Sequence, residues 1–268
     1  MKNNYRTIKA FVVLLSILAF RVAAQPLSGT VTINSGQATG GTNFQTFTVF
    51  AATINSVGIS GPLVVNVAPN SGPYVEQPAF TNITGASLTN SITINGNGNL
   101  LTFSSSNSAQ PWTLLMNGAK YFYFNNLNVQ GTGTYAYVCV LTNAADFNTF
   151  SSCTFSCPAN TTSSSHVAFM TSASSTGLST GANSANYTSV LNCQMFSGYY
   201  CMMWYGLTGT PYQQGNRIIG CSIQDYYVYG CYFYYQANGN VSYNTVERPT
   251  RTTLSTFYGI MIYYNPGG

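Results

Sequence analysis

Residues 229–240 read YGCYFYYQANGN, and residues 258–268 read YGIMIYYNPGG. Both carry Tyr-Gly, a short apolar run, a tyrosine pair, and then Asn and Gly. Three earlier stretches follow the same plan: YAYVCVL from 135, SHVAFMT from 165 and YYCMMWY from 199. The starts at 135, 165, 199, 229 and 258 are separated by 30, 34, 30 and 29 residues. A recurrence of this length, made of short β-branched and aromatic runs, is the mark of a repeat architecture.

A second track runs between the first. Each unit has an apolar residue, two small or variable positions, a Cys, Asn or Leu, one polar residue and another apolar residue. The units are FNNLNV from 124, FSSCTF from 150, VLNCQM from 190, IIGCSI from 218 and VSYNTV from 241. Several short strands per repeat predict a parallel β-solenoid, an all-β right-handed parallel β-helix whose coils stack about 4.8 Å apart. Leu127, Cys153, Cys193, Cys221 and Asn244 are then expected to form one inward ladder. A propeller blade needs about 40–50 residues. A sandwich would show hairpin signals instead.

The first third fits the same architecture. Residues 46–57 predict a helix, with Phe47, Phe50, Ala51 and Ile54 at i, i+3, i+4 and i+7 and Gly58 placed to end it. A solenoid's first coil is an open sheet edge, and this helix is its expected cap. Residues 62–67 and 91–96 read as early strands, and coils are expected over 62–268. Residues 172–186 read as a loop thrown out from the coil as mobile decoration.

Only 4% of the 268 residues are charged, against about 25% in an average soluble protein. Residues 1–24 read as a signal peptide: Lys2, Arg6 and Lys9 precede an apolar run over 10–20, and Val22, Ala23 and Ala24 offer a cleavage site before Gln25. An apolar run of 11 residues is too short to span a bilayer. The remaining β-helix domain, 25–268, is expected to be exported, with no membrane span. It keeps four bases, Lys120, Arg217, Arg248 and Arg251, against four acids, Glu76, Asp146, Asp225 and Glu247. Without a basic patch, nucleic acid is not an expected partner.

Residues 27–268 resemble secreted right-handed parallel β-helix proteins of Bacteroidetes-type bacteria. The resemblance rests on LSGTVTINSG (27–36), the run over 43–77, SITINGNG (91–98), NLNVQGTG (126–133), IQDYYVYG (223–230) and ERPTRTT (247–253). It implies a pectate-lyase-like fold and export, and no particular reaction. Such proteins commonly carry a C-terminal sorting domain for secretion and surface attachment. This chain is therefore expected to be the N-terminal part of a longer one.

Seven cysteines are present. In-register parallel neighbours point the same way, which strains a bridge, so buried free thiols are expected. Cys153 and Cys157 lack a second ligand pair for zinc. His166, the sole histidine, has no partner pattern for a triad and reads as structural. No cofactor is expected, and the carboxylate cluster that would hold calcium in a pectate lyase has no counterpart.

Two groups remain as candidate sites. Asp225, Glu247, Arg248 and Arg251 are the catalytic candidates. The strand register stacks Asp225 on Arg248 as an inter-coil ion pair, and a glycosidase would need the Asp225 and Glu247 carboxylates about 5–9 Å apart in one groove. Trp204, Tyr232, Tyr234 and Tyr263 are the ligand-binding candidates, an outward aromatic stripe suited to sugar rings. The preferred expectation is a non-catalytic, secreted or cell-surface module for adhesion or glycan binding, its partner a polysaccharide or surface glycan. A polysaccharide lyase or glycoside hydrolase is the alternative. Ice binding would need aligned threonines, and Thr93, Thr102 and Thr113 do not recur in register.

Overall fold

The computed structural model describes residues 25–181 and 184–264; the signal peptide expected over 1–24 lies outside the described residues. The chain is a parallel β-helix with three faces. The first face is nine-stranded: Asn43–Phe44 lies at its outer edge, followed in space by Leu27–Ile33, Ile59–Val67, Ile92–Asn95, Phe122–Asn125, Thr149–Ser151, Ser189–Leu191, Arg217–Ile219 and Asn240–Ser242. The second face stacks seven strands, from Tyr74–Val75 to Thr245–Glu247, and the third stacks seven more, from Ala79–Phe80 to Tyr258–Tyr263. The paired strands within these faces are parallel.

The second sequence track is the corner between the first two faces. Asn126, Ser152, Asn192, Gly220 and Tyr243 all sit there in the left-handed region, with φ between 49° and 68°. That turn aims the next residue inward. Leu127, Cys153, Cys193 and Cys221 are buried there, and Asn244 continues the ladder half-buried.

The structure explains why Cys and Asn interchange at this position. The thiols of Cys153, Cys193 and Cys221 point at the carbonyls of Phe124, Phe150 and Val190, at 3.4–3.5 Å. The Asn244 amide donates to the next carbonyl in that series, Ile218 O, at 2.9 Å. All seven cysteines are free and buried, as the strain argument predicts.

The helix α1 spans Phe47–Val57 and buries the four residues its periodicity selects. Thr46 Oγ1 accepts from Val49 N–H at 3.0 Å, and Gly58, at φ 70°, donates its N–H to Ile54 O at 2.9 Å. The Glu76 carboxylate reaches back to the helix start, accepting from Phe47 N–H at 3.0 Å and Thr48 N–H at 2.7 Å. Phe50 packs edge-on against Phe44 and Phe80, which joins the helix to the first coils. The core continues as a chain of ring contacts: Phe124 stacks on Phe150 at 5.0 Å, Phe150 meets Phe169 edge-on, Phe169 stacks on Trp204, and Trp204 lies tilted against Phe233.

Two expectations are corrected. Residues 172–181 are not loose decoration. The buried Ser172 hydroxyl donates to Gly177 O at 2.8 Å and accepts from Ser179 N–H at 2.9 Å, and Leu178 packs on the outer side of the third face. A small polar loop closes on itself when one hydroxyl serves several backbone groups.

The register of the first track is also shifted. Tyr200, not Tyr199, pairs with Tyr229. Between the second and third faces the corner uses 197–199 in one coil and 225–228 in the next, one residue more. A one-residue slip exchanges inward and outward side chains.

Candidate functional site

That slip decides the fate of Trp204. It pairs with Phe233, faces inward, and is fully buried between Phe169 and Phe233. Trp204 is therefore a core residue and is removed from the aromatic stripe.

Tyr232, Tyr234 and Tyr263 do come together on the outer side of the third face. Tyr234 stacks on Tyr263 at 5.3 Å and 10°, Tyr205 joins Tyr234 at 5.1 Å, and Tyr232 stacks on Tyr229 at 4.9 Å and 16°. A second column beside them runs Tyr200, Tyr229, Tyr258, with centroids 5.5 and 5.3 Å apart. Under and beside the tyrosines lies a second apolar cluster of Leu115, Val140, Met170 and Met203.

The stacking sets what this lane can offer. Ring faces that pack on each other are closed to a sugar, so the exposed parts are ring edges and phenol hydroxyls. Tyr263, 40% exposed, has its paired partner on one side. Burial, helped by neighbouring phenols, pushes Tyr200 up to about 12 and raises Tyr232 as well. These hydroxyls stay protonated at physiological pH and serve as donors.

The charged candidates separate. Asp225, left-handed at φ 57°, turns its carboxylate to Thr250, accepting from its N–H at 3.0 Å and its Oγ1 at 2.6 Å. Arg248 instead lies over Phe257 at 4.3 Å and Tyr226 at 5.7 Å. The expected Asp225–Arg248 ion pair is thus replaced by a hydrogen-bonded turn and a cation–π contact. Among the described residues the salt bridge is Lys120–Asp146, at 3.0 Å. Glu247 is exposed on the second face and accepts from Gln224 Nε2 at 2.6 Å.

Arg251 is the surprise of the set. It is 7% exposed, and its guanidinium donates to three backbone carbonyls: Thr253 O at 2.8 Å, Asp225 O at 2.8 Å and Thr161 O at 2.6 Å. Tyr227 covers it at 4.7 Å. Burial is the main cause lowering its pKa, with Arg248 adding to it.

Beside Arg251 lies a cavity of about 170 Å³. Asn160, Ser197, Asp225 and Thr250 form its polar wall, and Phe196, Ala159 and Cys157 its apolar wall. Asp225 lines this cavity and Glu247 does not, so the two carboxylates do not share it. Sequence reasoning had singled out Asp225 but not Asn160, Ser197 or Phe196. The corner register, which aligns Cys157, Ser197 and Asp225 one past Ser156, Phe196 and Gln224, points to Ser197 and Phe196 but not to Asn160, which lies in the loop beyond it.

His166 is structural, as expected. Its Nδ1 bonds Thr161 Oγ1 at 2.6 Å and its Nε2 bonds Thr134 O at 3.0 Å. Among the described residues no group of three or more His, Cys, Asp or Glu could hold a metal ion. Among the described residues no helix is long and apolar enough to cross a membrane. Thr93, Thr102 and Thr113 fall on three different faces.

The fold and these surfaces define a parallel β-helix protein with a capping helix, an outward tyrosine lane and a small corner cavity. No family model matches the chain, and no curated protein or solved structure matches it.

Proposed function

We propose that this chain is an exported, non-catalytic β-helix module of the cell surface or extracellular space that binds polysaccharide or surface glycan. The observation that carries the proposal is the lane of Tyr205, Tyr232, Tyr234 and Tyr263 beside the column Tyr200, Tyr229, Tyr258. Its rows of phenol donors, about a strand spacing apart, suit a hydroxyl-rich polymer. A ligand of this kind is bound by edge contacts and hydrogen bonds along the lane. The basic, apolar and small-residue order of 1–24 supports export. The likeness to exported β-helix proteins of Bacteroidetes-type bacteria supports a surface location.

The test is retention on a panel of neutral polysaccharides, run with a turnover assay. Tyr234→Ala with Tyr263→Ala is expected to weaken retention roughly tenfold, the scale of losing two aromatic contacts. Retention unchanged in that double variant would sink the lane as the binding surface. Polymer cleavage that disappears in Asp225→Asn or Glu247→Gln would establish the carbohydrate-active enzyme instead.

A further inference from the structure

Coils of a solenoid touch their sequence neighbours and little else. Residues 250–253 break that pattern. Arg251 Nη2 reaches Thr161 O, and Thr252 N–H reaches Asn160 Oδ1 at 3.0 Å, contacts that span 90 and 92 residues. Two whole coils lie between, and their corners are Ser197 and Asp225. The two loops meet over those corners like a clasp, with the buried Arg251 as its rivet. Coil stacking needs no such clasp, and burying a guanidinium is costly unless its donors are satisfied. What the clasp does create is the closed side of the corner cavity.

The cavity's size, charge and lining select a ligand. About 170 Å³ is slightly more than the ~150 Å³ that accommodates benzene, and less than the ~300 Å³ at which drug-sized pockets begin. It suits one six-membered ring, not an oligosaccharide. The Asp225 carboxylate is offset by the Arg251 guanidinium on its own backbone carbonyl, so neither anion nor cation is favoured.

The polar groups keep capacity for hydroxyls. Each Asp225 oxygen takes one hydrogen bond from Thr250 and has a further lone pair. Ser197 donates its hydroxyl to Pro158 O at 2.7 Å, which leaves the oxygen as an acceptor. Asn160 uses its carbonyl oxygen on Thr252, which leaves the amide as the donor side. Phe196 and Ala159 supply the apolar wall for ring C–H groups.

We infer that the corner cavity is a binding site for one neutral pyranose residue, the terminal sugar of a glycan. The inference rests on the glycan-binding function and adds a site separate from the tyrosine lane. Saturation-transfer NMR and calorimetry with neutral methyl pyranosides test it on the full chain. One such pyranoside is expected to bind saturably. Phe196→Ala, on a half-buried residue outside the clasp, is expected to weaken binding about tenfold, and Asp225→Asn at least as much.

Tyr234→Ala with Tyr263→Ala should leave pyranoside binding intact while polymer retention falls. Conversely, Phe196→Ala should spare polymer retention on the lane, so the two sites fail separately. Absence of binding by every neutral pyranoside, tighter binding of an amino or acidic sugar, or binding unchanged in both cavity variants would each overturn the inference.

Discussion

At the scale of single residues, two buried polar side chains set measurable stability. Arg251 satisfies three backbone carbonyls that belong to three separate stretches of chain. Arg251→Met leaves those acceptors without charged donors, and a loss of roughly 3 kcal/mol in urea unfolding is expected. Arg251→Lys should recover only part of it, because one ammonium cannot reproduce the planar fork.

His166 tests pH dependence. Burial is the main cause that lowers its pKa from the usual value near 6.5, against weaker opposing contacts to Thr134 and Gly133. Below pH 6.5 the unfolded chain therefore binds more protons than the native one. Stability is fully present above that pH and falls as pH drops toward the lowered folded value, by at most about 1.4 kcal/mol per pH unit. The urea midpoint should decline between pH 6.5 and 5. His166→Gln should flatten the slope; an unchanged slope would assign it to another group. The sequence carried the identity of these residues but not their partners. Thr161, which serves both, lies 90 residues from Arg251.

At the scale of elements, what was legible followed from local chemistry. The helix could be read because Thr46, Gly58 and the buried quartet are encoded within thirteen residues, 46–58. Its Glu76 anchor could not, since it comes from the next coil. Glu76→Ala is expected to cost about 1–2 kcal/mol, the loss of two charge-assisted bonds at a helix start, and Glu76→Gln less.

The corner ladder was legible for a similar reason, because one small inward residue follows one left-handed residue in coil after coil. Burial holds Cys139, Cys157, Cys201 and Cys231 well above the usual thiol range, with Cys231 near 12. Hydrogen bonding with Cys193 lowers Cys153 and Cys221 instead, but all seven thiols are buried, so an aromatic disulfide reagent should find none accessible in the native protein and all seven after unfolding. The face of Trp204 was not legible. A corner shortened by one residue leaves no mark in composition, yet it moves the largest aromatic of the strand into the core.

At the scale of the whole molecule, charge scarcity becomes a mechanism. The described residues hold four bases and four acids, and the buried or bonded ones are already committed: Lys120 to Asp146, Asp225 to Thr250, Arg251 to carbonyls and Arg248 to aromatic faces. The outer lane of the third face presents phenol hydroxyls and ring edges instead of ions. Recognition there has no ionic component for salt to screen, whereas any charged pair beyond about 10 Å loses most of its attraction at 0.1 M salt. Retention of a neutral polysaccharide is therefore expected to change by less than about twofold between low and high salt, as the screening argument requires. It should also stay level from pH 6 to 9, because the raised phenols of Tyr200 and Tyr232 do not ionise in that window. Retention that collapses with salt, or that prefers acidic polymers, would place binding on the remaining ions and away from the tyrosine lane. A flat response to both salt and pH that is lost only when Tyr234 and Tyr263 are removed would tie binding to the lane's own chemistry.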